Sequence, residues 1–357
     1  MRFRLAAAVL SLLLASLARD AHAQRAPITL RRVGQWGCMA CTTGQQFGGI
    51  AALAVTRDGT TYVVDRDEPR VRVFDSTGAL IRAFGRTGSG PGELQVPVGI
   101  AVAPGGSMQI PDLRNARLTR FTPTGEPVAT VPLTRMPTTM AHHPSRPEIW
   151  LAFTDFRRGG EVERWRPADS SGTLLARLTD FPPTEGVAGT VHSLAVAPDG
   201  GFAIGDGIRE YRIRRFDAAG RPAGADIVRD IPRTEKTAEE IAEQDARMAE
   251  RGAQMRATLE GRSAGAGAGL RMPAVAQLRN YFDYFALRFD EAGRLWVRTG
   301  RGARGSTIFD LFDPSGRFLG EVELPVQVRA YDLAGELLAT AIESEDGVPM
   351  IAVWRVR

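Results

Sequence analysis

Three groups of residues have types and spacings that could do chemistry. The stretch FGRTGSGPGEL, Phe84 to Leu94, gathers four glycines in eleven residues, a density that could cradle a phosphate on backbone amides. Cys38 and Cys41, the only cysteines, form a Cys-x-x-Cys pair in GCMAC, a spacing shared by redox motifs, metal sites and small disulfide loops. Asp65, Asp112, Asp155 and Asp206 recur along the chain, each ending a short apolar run. Carboxylates converging on one face could hold a cation.

The phosphate reading fails on its own terms. A Walker loop needs lysine after its last glycine, and Pro91 stands there; Lys236 is the only lysine. A dinucleotide fingerprint needs a helix next, whereas VPVGIAVA (Val96 to Ala103) alternates like a strand. The loop reads as a tight connection in which glycine supplies positive φ. The cysteine pair lacks the following helix pattern of a redox site. Position 42 is Thr42, where haem attachment would need histidine, and His142, His143 and His192 are too few for an evident zinc set. In an oxidising compartment a disulfide between Cys38 and Cys41 is expected, with two idle thiols as the alternative.

These residues sit in a repeat. GIAALAVTRDGTTYVVDRDEPRVRVFDSTGALIRAF from Gly49 matches the segments starting at Gly99 and His192. Each has an alternating run, a Gly turn, a second run ending in aspartate, a third ending in an aromatic (Phe74, Phe121, Phe216), another Gly turn and a fourth run. Two degenerate copies carry Asp155 with Trp165, and Thr299 with Phe312; a sixth has three runs and ends the chain. Four strands per ~40–50 residues describe a propeller blade. The expected fold is all-β: a six-bladed β-propeller of four-stranded antiparallel blades, one domain over 24–357. PITLRRVG (27–34) is expected to supply the missing strand of the last blade, because an open ring would leave unpaired edges.

The repeat resembles the NHL family of six-bladed propellers, through FGRTGSGPGELQVPVGIAVAPGG, Asp112 with Asn115 and Arg117 in PDLRNARLTRF, and the Gly125 turn. The match is best over the first two repeats. The layout, with DEAGRLWVR near Gly293, is also similar to secreted bacterial propellers of unassigned role. Such resemblance implies fold far more than function.

One segment breaks the pattern. Between the fourth and fifth repeats, 232–275 carries a helical stretch, Thr237 to Gly261, then GRSAGAGAG, a flexible tether. Thr237 and Glu240 make a capping-box pattern. Ile241, Met248, Met255 and Leu259 form one narrow apolar stripe. The insert is expected on the same face as the glycine loop and the aspartates, as a lid, a partner surface or decoration.

The first 23 residues read as a secretory signal peptide cleaved after Ala23: Arg2 and Arg4, an apolar run, then Ala-His-Ala. The run is too short to span a bilayer. A periplasmic or secreted location follows, without a membrane span. The formal charge is +4; removing the leader's three arginines and one aspartate from 45 basic and 41 acidic residues leaves 42 and 40. No basic stripe interleaved with aromatics appears, so nucleic acid is not an expected partner.

Two functions stay open. The favoured one is a binding or scaffold module, taken to be a monomer and needing no cofactor, for a protein, peptide or glycan on the insert-bearing face. Candidate contacts are Asp112, Asp206 and the loop arginines Arg66, Arg70, Arg114, Arg157, Arg158, Arg209, Arg301 and Arg304; arginine suits carboxylate recognition. The alternative is a metal-dependent lyase or lactonase-type hydrolase. Related propeller enzymes hold calcium or zinc in the channel, and Asp112, His192 and Asp206 are the matching candidates. His192 is read as opening an inner strand. His142 and His143 are read as opening another, so at most one of them faces the channel.

Overall fold

In the computed structural model, residues 28–357 are described except 42–43, 136, 156–158, 167–168, 179–191, 209 and 261–275. The signal peptide, Arg157, Arg158, Arg209 and the Gly-Ala tether lie outside the described residues.

Twenty-four strands and one helix are described. The N-terminal β1 (Leu30–Trp36) stands apart in sequence from the blade it joins. Blade 1 is β2 (Ile50–Val55), β3 (Thr61–Asp65), β4 (Arg70–Phe74) and β5 (Leu80–Phe84). Blade 2 is β6 (Ala101–Val102), β7 (Met108–Asp112), β8 (Arg117–Phe121) and β9 (Pro127–Pro132). Blade 3 is β10 (Thr139–His142), β11 (Ile149–Asp155), β12 (Gly159–Trp165) and β13 (Thr173–Leu178). Blade 4 is β14 (His192–Val196), β15 (Phe202–Asp206), β16 (Tyr211–Phe216) and β17 (Ile227–Arg229), followed by helix α1 (Ala238–Glu260). Blade 5 is β18 (Phe282–Phe289), β19 (Leu295–Thr299), β20 (Thr307–Phe312) and β21 (Phe318–Leu324). Blade 6 is β22 (Val328–Ala334), β23 (Leu337–Glu343) and β24 (Pro349–Val356), completed by β1.

All six sheets are four-stranded, and every strand pair in them is antiparallel. The expected closure holds, shifted by two to three residues: β1 pairs with β24 from Leu30↔Val356 to Trp36↔Ile351, and Thr29 and Arg357 exchange backbone bonds. The innermost strands contact one another in the cyclic order β2, β6, β10, β14, β18, β22.

Burial follows position in the blade. The second strands β3, β7 and β15 are buried at every residue, because a neighbouring blade covers each of their faces. The outermost β5 and β9 are mostly exposed. Core clusters lie between successive blades: Val64 and Val71 meet Ile110 and Phe121 between blades 1 and 2, and Phe309 and Trp296 meet Tyr331 and Trp354 between blades 5 and 6. Trp36 of β1 packs on Phe74 of blade 1 at 6.0 Å between ring centroids, carrying the core across the closure.

Strand alternation fixes the two faces. Blade-to-blade crossovers and the loops between second and third strands share one face, here the crossover face. The other two hairpins of each blade emerge opposite, on the hairpin face. There Asp75, Asp217 and Asp313 each accept bonds from backbone amides two and four residues on, the chemistry of an Asx turn.

Candidate functional site around the channel

The glycine loop is on the crossover face and its interior is already filled. Arg117 donates to the carbonyls of Ser89, Gly90 and Glu93 at 2.7–2.8 Å. Asn115 Nδ2 donates to Gly88 O, and Glu93 accepts from Gly90 N and Arg86 Nε. The loop turns its carbonyls inward onto a cation, the reverse of a phosphate cradle. Gly85 and Gly92, at φ 81° and 73°, are in the left-handed region, where glycine carries no steric cost.

The repeated aspartates tie this loop layer down. Asp112 is fully buried and accepts from the amides of Gln95 and Val96 at 2.9 Å and from Asn115 Nδ2 at 2.7 Å. Asp65, equally buried, accepts from the amides of Gly48, Asp67 and Glu68, and from Arg72 at 2.5 Å. Both carboxylates join their own loop to the incoming crossover. Asp206 accepts from the amide of Ile208 and pairs in register with His192, whose side chain lies outside the described residues. Asp112 belongs to blade 2, so it does not share a strand pair with those two. Among the described residues no three of His, Cys, Asp and Glu converge as a metal site.

The arginines divide. Arg66 and Arg114 are exposed, and Arg70 is partly so beside Glu68. Arg301 departs from its expected place on an open loop. Its side chain turns inward onto Asp310 and Glu321, the latter at 2.7 Å, and is 17% exposed. Arg229 reaches the same Asp310 at 2.7 Å and covers the Phe318 ring. Two guanidiniums thus neutralise two carboxylates at the seam of blades 4 and 5. Arg304 stays exposed and pairs with Glu239 of α1.

The insert stands on a short stem. Thr234 and Lys236 bond to Arg279 and Gln277, with a bridge at Glu235↔Leu278. The capping box forms as expected: Thr237 N donates to Glu240 Oε2 at 2.8 Å, and Glu240 N to Thr237 Oγ1 at 3.2 Å. Arg279 joins Glu240 at 2.9 Å and donates to the carbonyls of Gly300 and Gly302. These contacts anchor the first turn of α1 to the blade 5 loop. The side chains of Met255 and Leu259 lie outside the described residues.

The channel is filled by side chains that sequence reasoning passed over. Phe285, on the inner strand of blade 5, has φ 57° and packs across the channel against the core between blades 2 and 3. Its strand is irregular there: pairing shifts between Phe282↔Thr299 and Leu287↔Val297. Met140 presses on blade 2 so closely that a Cβ on Gly99 would lie 2.0 Å from its sulfur. The remaining channel cavity, bounded by Ala52, Ala141, Phe285 and Tyr331, is about 30 Å³, room for about two waters.

At the hairpin end the channel holds an ionic cluster. His142 closes β10 rather than opening it, and its Nε2 donates to Asp332 Oδ1 at 3.1 Å. Arg288 Nε lies 3.5 Å from the same oxygen, and Val55 N donates to Asp332 Oδ2 at 3.0 Å. Burial would raise the Asp332 carboxyl, but His142, Arg288 and the Val55 amide outweigh it and hold it below the usual carboxylate range. His143 points the other way, buried beside Trp150 at 6.0 Å. Burial, with Arg146 nearby, lowers it to about 4. One of the two histidines faces the channel, as strand alternation requires. The hint for this cluster was available in sequence: two residues before each inner hairpin closes stand Ala54, Ala101, Ala141, Ala195, Arg288 and Asp332. Four alanines and then an opposite-charge pair break the repeat.

Cys38 and Cys41 are disulfide-bonded, with Cα atoms 5.7 Å apart, beside the closing strand. No helix of the described residues is long and apolar enough to cross a membrane.

Comparison with known proteins shows the fold. No family model matches the chain, that of the NHL repeat included, and no curated protein matches it. A DUF4221 member from Bacteroides vulgatus has a similar structure, with a TM-score of 0.58 at 9% identity over 94% of this chain and 99% of that one. A candidate exported protein from Bacteroides fragilis gives 0.54 at 11% identity, covering 92% and 95%. The PQQ-bound aldose sugar dehydrogenase of Streptomyces coelicolor gives 0.51 at 12% identity, covering 94% and 100%. The chain is a six-bladed β-propeller, and at these identities the likeness extends to fold alone.

Proposed function

We propose that this protein is an exported binding or scaffold propeller, active in the periplasm or outside the cell, whose crossover face takes a protein, peptide or glycan. The observation that carries the reading is the state of the channel. The hydrolase alternative places its site in the channel and needs room for substrate there, and here Phe285 and Met140 leave about 30 Å³. The buried carboxylates beside the crossovers are occupied in holding backbone: Asp65 and Asp112 accept bonds from amides of both the crossover and their own loop.

The same face offers exposed charge. Arg66 and Arg114 belong to neighbouring blades, and Arg304 pairs with the insert helix. Guanidiniums on a rigid frame suit carboxylate-bearing ligands.

The test uses the mature protein against immobilised acidic peptides and uronate-containing glycans. Binding should be saturable. It should be lost in the triple variant Arg66→Glu, Arg70→Glu, Arg114→Glu, with thermal unfolding unchanged. Turnover of a lactone, dependent on added calcium or zinc and lost in Asp206→Asn, would replace this reading with the hydrolase.

A further inference from the structure

A second cavity lies away from the channel and from the proposed binding face. It opens on the hairpin face at the seam of blades 2 and 3, with a volume of about 180 Å³. Ala101, Ala103 and Ala129 line it on the same strand faces as Gln109 and Arg120. Val128, 65% exposed on the outermost strand of blade 2, forms part of its rim.

Two buried polar groups lining this cavity lack a partner among the described residues, and a third group is exposed at its mouth. Gln109 is 5% exposed, and its Nε2 donates to Pro147 O at 2.8 Å. A carbonyl can only accept, so this bond fixes the amide's orientation and leaves Oε1 as an acceptor. Among the described residues no donor reaches Gln109 Oε1. Arg120 is held from blade 3: it donates to the carbonyls of Arg166 and Asp169, both at 2.9 Å. Its buried Nε finds no acceptor among the described residues. Arg146 is exposed at the mouth. Buried polar groups in folded proteins are normally satisfied, and those left over ask for a ligand or a water.

We propose that this cavity binds a small organic acid. Its apolar body would rest on Ala101, Ala103 and Ala129, its carboxylate would face Arg146 and Arg120, and an N–H or O–H beside the carboxylate would donate to Gln109 Oε1. The acid is small, because the volume is below the ~300–1,000 Å³ of sites for drug-sized ligands. It is anionic, because the charged side chains lining the cavity are both arginines. It carries a donor, because the buried Gln109 Oε1 is an acceptor with no donor among the described residues.

The experiment is calorimetric titration of the mature protein with N-acetyl-leucine, with N-acetyl-leucine amide, and with 4-methylpentanoate, which keeps the acid but has no N–H. N-acetyl-leucine should bind saturably, and its amide about tenfold more weakly, since charge-assisted bonds are the stronger ones. Arg146→Gln should weaken both acids about tenfold and leave the amide unchanged. Gln109→Met should weaken N-acetyl-leucine but not 4-methylpentanoate. The proposal is overturned if neither acid saturates by about 10 mM, where only affinities weaker than ~3 kcal/mol escape detection. It is equally overturned if Arg146→Gln binds both acids as the wild type does.

Discussion

His142 and Asp332 come from blades 3 and 6, opposite each other in the ring, and meet inside the channel at 3.1 Å. The bond is a strut across the diameter of the propeller. Arg288 of blade 5 and the Val55 amide of blade 1 brace the same carboxylate. Four of the six blades therefore converge on one side chain.

Removing the strut should destabilise the whole ring. His142→Ala leaves a buried carboxylate with less compensation, a change that costs about 3–5 kcal/mol in buried pairs. The folded-state pKa of Asp332 is depressed, so its stabilisation is present above the unfolded value and lost as pH falls through the folded one. Wild-type stability should therefore drop below about pH 4, and in His142→Ala, where Asp332 has lost a partner that lowers its pKa, this acid-side drop should shrink. Urea midpoints between pH 3 and 8 measure both effects.

His143 predicts a second slope. Its pKa falls from 6.5 unfolded to about 4 folded, so the unfolded chain binds the extra proton between those values. Stability is whole above pH 6.5 and declines as pH falls toward 4, by at most ~1.4 kcal/mol per unit. His143→Phe should flatten the curve across that window. An unchanged slope would show that another group titrates there.

Phe285 separates side chain from backbone. Phe285→Ala should cost about 2–3 kcal/mol, less than a fully buried phenylalanine, since Phe285 is half-buried. Phe285→Gly should cost no more than the alanine variant, although glycine ordinarily loses ~0.5–1 kcal/mol to alanine. The reason is φ 57°, which alanine occupies at a penalty. Thermal unfolding of the two variants side by side decides it, and a glycine variant clearly below alanine would sink the argument.

Two arginines that look alike in sequence should behave differently. Arg301→Ala strips one of two guanidiniums from the buried Asp310 and should cost about 3 kcal/mol. Arg66→Ala changes an exposed loop and should stay within ~0.5 kcal/mol. Denaturation midpoints for the pair test whether Arg301 serves the fold.

The ring was legible in sequence because most blades repeat the same alternation, punctuated by turn glycines at roughly 40–50 residues. The closing strand was legible by subtraction, since the sixth copy lacked one run. The capping box at Thr237 and Glu240 was legible because its two bonds are local. The channel was not. Phe285 reaches the opposite side through an irregularity in its strand, and periodicity describes only regular strands. Asp332 and His142 are far apart in sequence, and although His142 was a channel candidate and Asp332 breaks the alanine pattern, only the closed ring shows that they meet. Arg301 read as exposed because its loop is polar. What draws it inward is Asp310, an acid at a buried strand position of the same blade.

The pairing of Leu30 with Val356 sets an order of events for the newborn chain. Strand β1 finds its partner only when β24, far later in the chain, has been delivered. Until then the chain holds blades in sequence but carries an orphan edge at each end, the surface on which strands of other molecules add. Such a ring offers no useful partial product. Without β1, blade 6 would expose β24 as an unpaired edge, an adhesive surface for strands of other molecules.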